Sequence, residues 1–285
     1  MDNTGSYGAV GETRCLMTHK NPKEYLIESP TVEFVAIVFG GSMLAFNAGF
    51  INVISLLISD ILVSHTTGNI SKTSVYLAEG QYFKFLEVAI MLPCFVLGSF
   101  TTTLMIEEQV FHLNKAYRGV FLLGTVVLLI AALTGIYTTE SQLYAYLATF
   151  ACGMQNAMTT KYSGSILRTT HTTGMATDIG ICLGRIAKGK ANELWKLQVQ
   201  IPLLLSFFVG GVAGCSVYAY LGKHALFVCV GLFGGIGLLY IAVIAHFQEE
   251  TYWVAMFGSE KTLRTMHQSC STHDKSSTSS SAKAD

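Results

Sequence analysis

The chain has 285 residues, 51% of them apolar and only 13% charged, with 18 basic residues balancing 18 acidic ones. Soluble domains carry about 25% charge, so a soluble globular protein is excluded. The balanced charge also leaves no single-sign field for nucleic acid or an acidic partner.

Residues 1–31 are polar, hold Gly, Asn and Pro, and are expected to be disordered. Long runs free of Lys, Arg, Asp and Glu follow at Phe34–Ser59, Val88–Ile106, Gly119–Thr139, Ser141–Thr160, Leu197–Gly222 and His224–Gln248. Each matches the roughly 20 helical residues needed to cross a hydrocarbon core. Only helices can do so here, because lipid offers backbone N–H and C=O groups no partner. The first run is too long for a signal-peptide core, so it reads as a first span. The expected fold is an all-α, polytopic helical membrane protein whose partner is the bilayer. Residues 258–285 end in Ser-rich sequence (Ser276, Ser277, Ser279, Ser280, Ser281) that is expected to be disordered. Cys94, Cys152, Cys182, Cys215 and Cys229 fall in or near apolar segments, without metal or disulfide spacing, and read as packing residues. Asn69-Ile-Ser71 fits a glycosylation sequon but sits in a segment that speaks against its use.

Two stretches match one another. Phe46-Asn-Ala-Gly49-Phe-Ile-Asn52 parallels Phe150-Ala-Cys-Gly153-Met-Gln-Asn156, and Ser64-His65-Thr66-Thr67-Gly68-Asn69 parallels Thr170-His171-Thr172-Thr173-Gly174-Met175, at offsets of 104 and 106 residues. Pro93 and Pro202 recur in the next apolar run. Residues 32–139 and 140–248 therefore read as two copies of one unit, a common construction among transporters.

At these motifs the chain resembles the YoaK-like family of uncharacterised transmembrane proteins. The resemblance rests on Gly49–Asn52 and His65–Asn69 in the first half. In the second half it rests on Gly153–Ala157, Arg168–Gly174 and Thr177–Arg185, within roughly residues 34–247. It implies a membrane protein with no assigned reaction. It also implies an apolar residue where this chain has Lys72.

One segment in each copy is too polar for a lipid-facing helix. Residues 58–80 hold Asp60, His65, Lys72 and Glu79, and residues 164–189 hold Arg168, His171, Asp178 and Arg185. Either both are re-entrant half-helices, giving six spans in an inverted 3+3 arrangement, or both cross, giving a parallel 4+4. Six spans put fifteen basic residues inside against two outside, while eight give twelve against five. The positive-inside rule favours six.

In the six-span reading each His-Thr-Thr-Gly opens a half-helix whose free N–H groups and positive dipole end can hold an anion or a polar ligand. The candidate substrate-binding residues are Asn52, His65, Thr66, Thr67, Asn69, Gln155, Asn156, His171, Thr172 and Thr173. Interhelical hydrogen bonding and helix capping are the bland alternatives for the same residues. Seven-residue spacing puts His65, Lys72 and Glu79 on one helix face, and His171, Asp178 and Arg185 on another. Lys72, Asp178 and Arg185 are candidates for a coupling charge, with Lys72 expected to pair with Asp178, because an intramembrane carboxylate needs a partner or a proton. Gly210–Gly214 and Gly231–Gly235 read as packing seams.

No catalytic, metal or cofactor motif is present. A small-solute transporter or permease of the plasma membrane is expected, with an internal organelle membrane as the alternative. A membrane scaffold and an intramembrane enzyme are the competing classes. Self-association of copies and the identity of the solute are left open.

Overall fold

The computed structural model describes residues 31–106, 116–138, 142–163, 166–190 and 194–247. The terminal segments 1–30 and 248–285, expected to be disordered, lie outside the described residues. The chain divides into a unit spanning Pro22–Tyr240 and a second of Met1–Asn21 with Ile241–Asp285. Of the second unit only residues 241–247 are described, as helix.

No strand occurs among the described residues. The helices are α1 (Thr31–Ser59), α2 (Thr66–Ala78), α3 (Tyr82–Ala89), α4 (Met91–Met105), α5 (Ala116–Tyr137), α6 (Leu143–Tyr162), α7 (Thr172–Ala187), α8 (Leu194–Leu221) and α9 (Ala225–Phe247). Four stretches are long and apolar enough to cross a membrane: Phe34–Ser59, Tyr82–Met105, Ala116–Tyr137 and Leu194–Val243, the last holding both α8 and α9. The protein is thus an all-α polytopic membrane protein. Pro93 explains the break between α3 and α4: it has no N–H to offer the Ala89 carbonyl four residues back, and its ring crowds that group. α6 is absent from those stretches because Gln155, Asn156, Thr159 and Lys161 lower its hydropathy. It tolerates them because it is an inner helix, with Ala148, Cys152, Met154 and Gln155 all buried.

Pairwise contacts fix the helix directions. Gln155 reaches the Leu44 carbonyl and Tyr144 meets Ser59, so α6 runs antiparallel to α1. Thr149 reaches Met91 and Thr102 reaches the Met154 carbonyl, so α4 runs parallel to α6. Tyr117 packs on Tyr162 at one end of α5 and Gly135 on Tyr144 at the other, so α5 is antiparallel to α6. α8 is parallel to α1, with Gly41 by Leu203 and Gly214 by Phe50. α9 is antiparallel to α5, with Gly135 by Leu226 and Phe121 by Gly237. The long segments α1, α3–α4, α5, α6, α8 and α9 therefore alternate strictly in direction. Had α2 or α7 made a full traverse, the long helices on either side of it would run the same way. Instead α2 rises only about 20 Å and α7 about 24 Å, short of a core of about 30 Å.

The alternation also places Tyr82, Tyr137 and Tyr220 at helix ends on one side, where they are 67%, 78% and 89% exposed. That is the position of an interfacial aromatic belt. Leu122 and Phe208 stand outward from the helices between the two ends, as lipid-facing residues do.

Two helix pairs are the tightest, α1 with α8 and α4 with α6, and one short pattern explains both. Phe46-x-x-Gly49, Phe95-x-x-Gly98, Phe150-x-x-Gly153 and Phe207-x-x-Gly210 lie one on each of the four helices. A Cβ on Gly49 would fall 2.9 Å from the Phe207 carbonyl carbon, and one on Gly210 would fall 2.8 Å from that of Phe46. Gly98 and Gly153 meet Phe150 and Phe95 in the same reciprocal way, each at 2.9 Å. Each glycine thus rests on the partner's phenylalanine carbonyl, a backbone-to-backbone approach that small residues permit in lipid. The Gly210–Gly214 seam is part of this contact. The Gly231–Gly235 spacing is not a seam: no atom lies within 4 Å of a Cβ at either position. The prolines are not equivalent either, since Pro93 precedes Gly98 by five residues and Pro202 precedes Gly210 by eight.

Gly49→Ala and Gly153→Ala are expected to destabilise the fold by about 1–3 kcal/mol, as overpacking does. Gly231→Ala should be neutral within about 0.5 kcal/mol, as for surface substitutions. Thermal unfolding of the three purified variants checks this, and equal midpoints would refute the clasp.

Candidate functional site

Between α1 and α2, and again between α6 and α7, the chain leaves helix and doubles back. Backbone at that depth must find partners inside the protein. Asn52 Oδ1 accepts the Ser64 N–H at 3.1 Å, and Asn69 Nδ2 donates to the Leu62 carbonyl at 2.7 Å. In the second turn-back Asn156 Oδ1 accepts from the Thr170 hydroxyl at 3.0 Å. Gln155 Nε2 donates to Thr169 Oγ1 at 3.1 Å and to the Leu44 carbonyl at 2.9 Å. Ser163 Oγ, accepting the Leu167 N–H at 2.7 Å, starts that second return. Sequence reasoning missed Ser163, because its role depends on where the chain turns.

The anchored returns bring the starts of α2 and α7 together. Ser64, His65, Thr66 and Thr67 from one and Thr170, His171, Thr172 and Thr173 from the other line a single cavity of about 230 Å³, completed by Phe95 and Asn156. None of its lining residues is Asp, Glu, Lys or Arg. The first backbone bonds of the half-helices are Asn69 N–H to His65 O and Met175 N–H to His171 O. The N–H groups of Thr66, Thr67, Gly68, Thr172, Thr173 and Gly174 therefore have no helical acceptor. Neither N-cap histidine supplies a side-chain bond.

The glycine of each motif has a steric cause. A Cβ on Gly68 would stand 3.0 Å from His65 Cε1 and closer to Nδ1, while one on Gly174 would stand 2.8 Å from His171 Cδ2. Each imidazole folds back over the first turn of its own helix, and only glycine leaves it room. His65 Nδ1 is buried there without a partner.

Of the residues expected at the site, His65, Thr66, Thr67, Asn156, His171, Thr172 and Thr173 converge on the cavity. Asn52 and Gln155 do not reach it and instead hold the returning backbone. Asn69 lines a separate, mostly apolar crevice of about 240 Å³ against Phe85, Val88 and Leu92. Ser64, Phe95 and Thr170 were not among the candidates; Ser64 and Thr170 carry the signal of aligning with one another in the duplicated motif.

The expected pairing of Lys72 with Asp178 is not what the structure shows. Lys72 Nζ bonds Asp60 Oδ2 at 2.8 Å and the Asp60 carbonyl at 2.5 Å. Asp178 Oδ2 accepts from Gln200 Nε2 at 2.8 Å. The half-helices meet at their starts and diverge, so residues seven positions on point to opposite ends of the molecule. Lys72 closes the first return, where Asp60 ends α1 with φ of 57°, and Asp178 fastens α7 to α8. Arg185 is exposed in the last turn of α7, and Glu79 takes the Gln81 amide at 2.7 Å. No group of three or more His, Cys, Asp or Glu residues with metal-binding placement occurs among the described residues.

Fold and site together define a polytopic helical membrane protein in which two half-helices meet start to start around a polar cavity. The family model described as protein of unknown function (DUF1275) matches residues 40–239, and the chain belongs to that family. No curated protein and no solved structure matches it.

A double-mutant cycle separates the two pairings. Asp60→Asn with Lys72→Met should show a coupling of about 0.2–1 kcal/mol, the range for partly exposed ion pairs. Asp178→Asn with Lys72→Met should be additive within about 0.5 kcal/mol. Thermal unfolding reads both, and coupling confined to Lys72 and Asp178 would refute this assignment.

Proposed function

We propose that the protein is a permease for a small solute, with its site between the starts of α2 and α7, and that it is not an enzyme. The observation that carries this reading is the cavity itself. It is polar, has no Asp, Glu, Lys or Arg in its lining, and is reached by segments descending from opposite ends of the bundle. Its volume, about 230 Å³, falls below the roughly 300–1,000 Å³ of sites for drug-sized ligands. A scaffold needs packing residues, not a cavity lined with hydroxyl and imidazole groups.

The reading includes an inverted duplication. α1 and α6 carry the same Phe-x-x-Gly and Asn elements and run antiparallel, and each clasps the second long segment of the opposite copy. Under an inverted 3+3 arrangement, α2 and α7 are re-entrant half-helices that reach the midplane from the two sides, where transporters of this construction hold their substrates.

In a background free of the native cysteines, Thr67→Cys and Thr173→Cys should react with small hydrophilic thiol reagents, from one side or alternately from both. Inertness at both positions under every condition would refute a permeation site. Lys115→Cys should resist an impermeant reagent in intact cells. Ready labelling at Lys115 with the termini protected would overturn the inverted arrangement.

A further inference from the structure

We infer that the cavity takes a small monovalent anion, a class that carboxylates such as formate represent, and turns cations away. The inference rests on the permease reading and names the class of its solute. Three observations converge on it.

The first is the excess of donors. Six backbone N–H groups, those of Thr66, Thr67, Gly68, Thr172, Thr173 and Gly174, stand at the two helix starts without helical acceptors. Donors left open at a helix start take an oxygen or comparable acceptor from outside the helix. Capping side chains ordinarily supply it, but His65 and His171 at the cap positions do not.

The second is a built polar wall. Ser64 is 5% exposed and lines the cavity. Its backbone N–H is taken by Asn52, while its hydroxyl makes no hydrogen bond among the described residues. Asn156, also in the lining, spends its oxygen on Thr170, which leaves its amide N–H₂, again a donor, uncommitted among the described residues. The hydroxyls of Thr66, Thr67, Thr172 and Thr173 are likewise uncommitted among the described residues.

The third is charge. Each helix start carries about half an elementary positive charge, so two facing starts supply about one. The lining holds no carboxylate to attract a cation and no Lys or Arg to hold a dianion. Asp60 is paired with Lys72, and none of Asp60, Glu79 and Asp178 lines the cavity. The two helix starts therefore match one negative charge, and the same dipoles repel cations.

Purified full-length protein in proteoliposomes should take up formate at least tenfold faster than protein-free vesicles, with potassium entry at the protein-free level. Thr67→Glu, which brings its own carboxylate to the two helix starts, should remove formate uptake. Sodium formate should raise the thermal midpoint of the wild type, with less effect from equimolar sodium sulfate; this readout does not depend on the variant's folding. Glycerol entry without formate entry overturns the anion assignment and leaves the permease standing. Potassium entry matching that of formate also overturns it. If formate, potassium and glycerol all stay at the protein-free level and Thr67→Cys and Thr173→Cys are inert, the permease reading falls as well.

Discussion

A backbone that leaves helical geometry inside a bilayer exposes N–H and C=O groups that lipid cannot satisfy. The chain leaves helical geometry at the returns before α2 and α7, and side-chain amides hold the chain there. Asn52 and Asn156 occupy corresponding places on α1 and α6, and each anchors the residue just before a half-helix histidine, Ser64 in one case and Thr170 in the other. Gln155 extends the anchoring across to α1. These bonds hold the returns that bring the starts of α2 and α7 together.

Holding such anchors in place requires a rigid surround, and the reciprocal glycine clasps supply it. Lipid gives helices no hydrophobic reason to associate, so close backbone approach carries the packing. Each clasp joins a helix bearing an anchoring amide, α1 or α6, to the long segment that follows the opposite half-helix. The amides therefore sit on the least deformable part of the molecule. The half-helices, by contrast, rest mainly on their own neighbours: α2 on α3 and α4, and α7 on α8. Their outer faces, including Gly180 and Gly184, are open.

The two half-helices are alike where they meet and unlike beyond. His65 and His171, with Gly68 and Gly174, repeat one steric solution at the cavity. Seven residues further on, Lys72 closes a loop onto Asp60 while Asp178 binds Gln200. Correspondence between copies therefore predicts position in the fold better than it predicts partners. α2 and α7 meet at their starts and diverge, so residues seven positions further along each helix lie apart. Opposite charges there do not meet.

The sequence by itself determined the class. Six runs of about 20 uncharged residues in one chain point to membrane helices, and the shared His-Thr-Thr-Gly elements marked residues that converge on the cavity. The reason is that span length and motif identity are local properties, written in consecutive residues. Only the tertiary structure decided that the half-helices meet start to start, that Asn52 and Gln155 support the site from behind, that Asn69 faces another crevice, and that Gly231–Gly235 faces outward. Those outcomes depend on helix direction and on which helices cross, which residues distant in the chain set together. The Phe-x-x-Gly pattern shows the boundary well: it occurs six times in the sequence, yet which four form the clasps, and which clasps which, follows from packing alone.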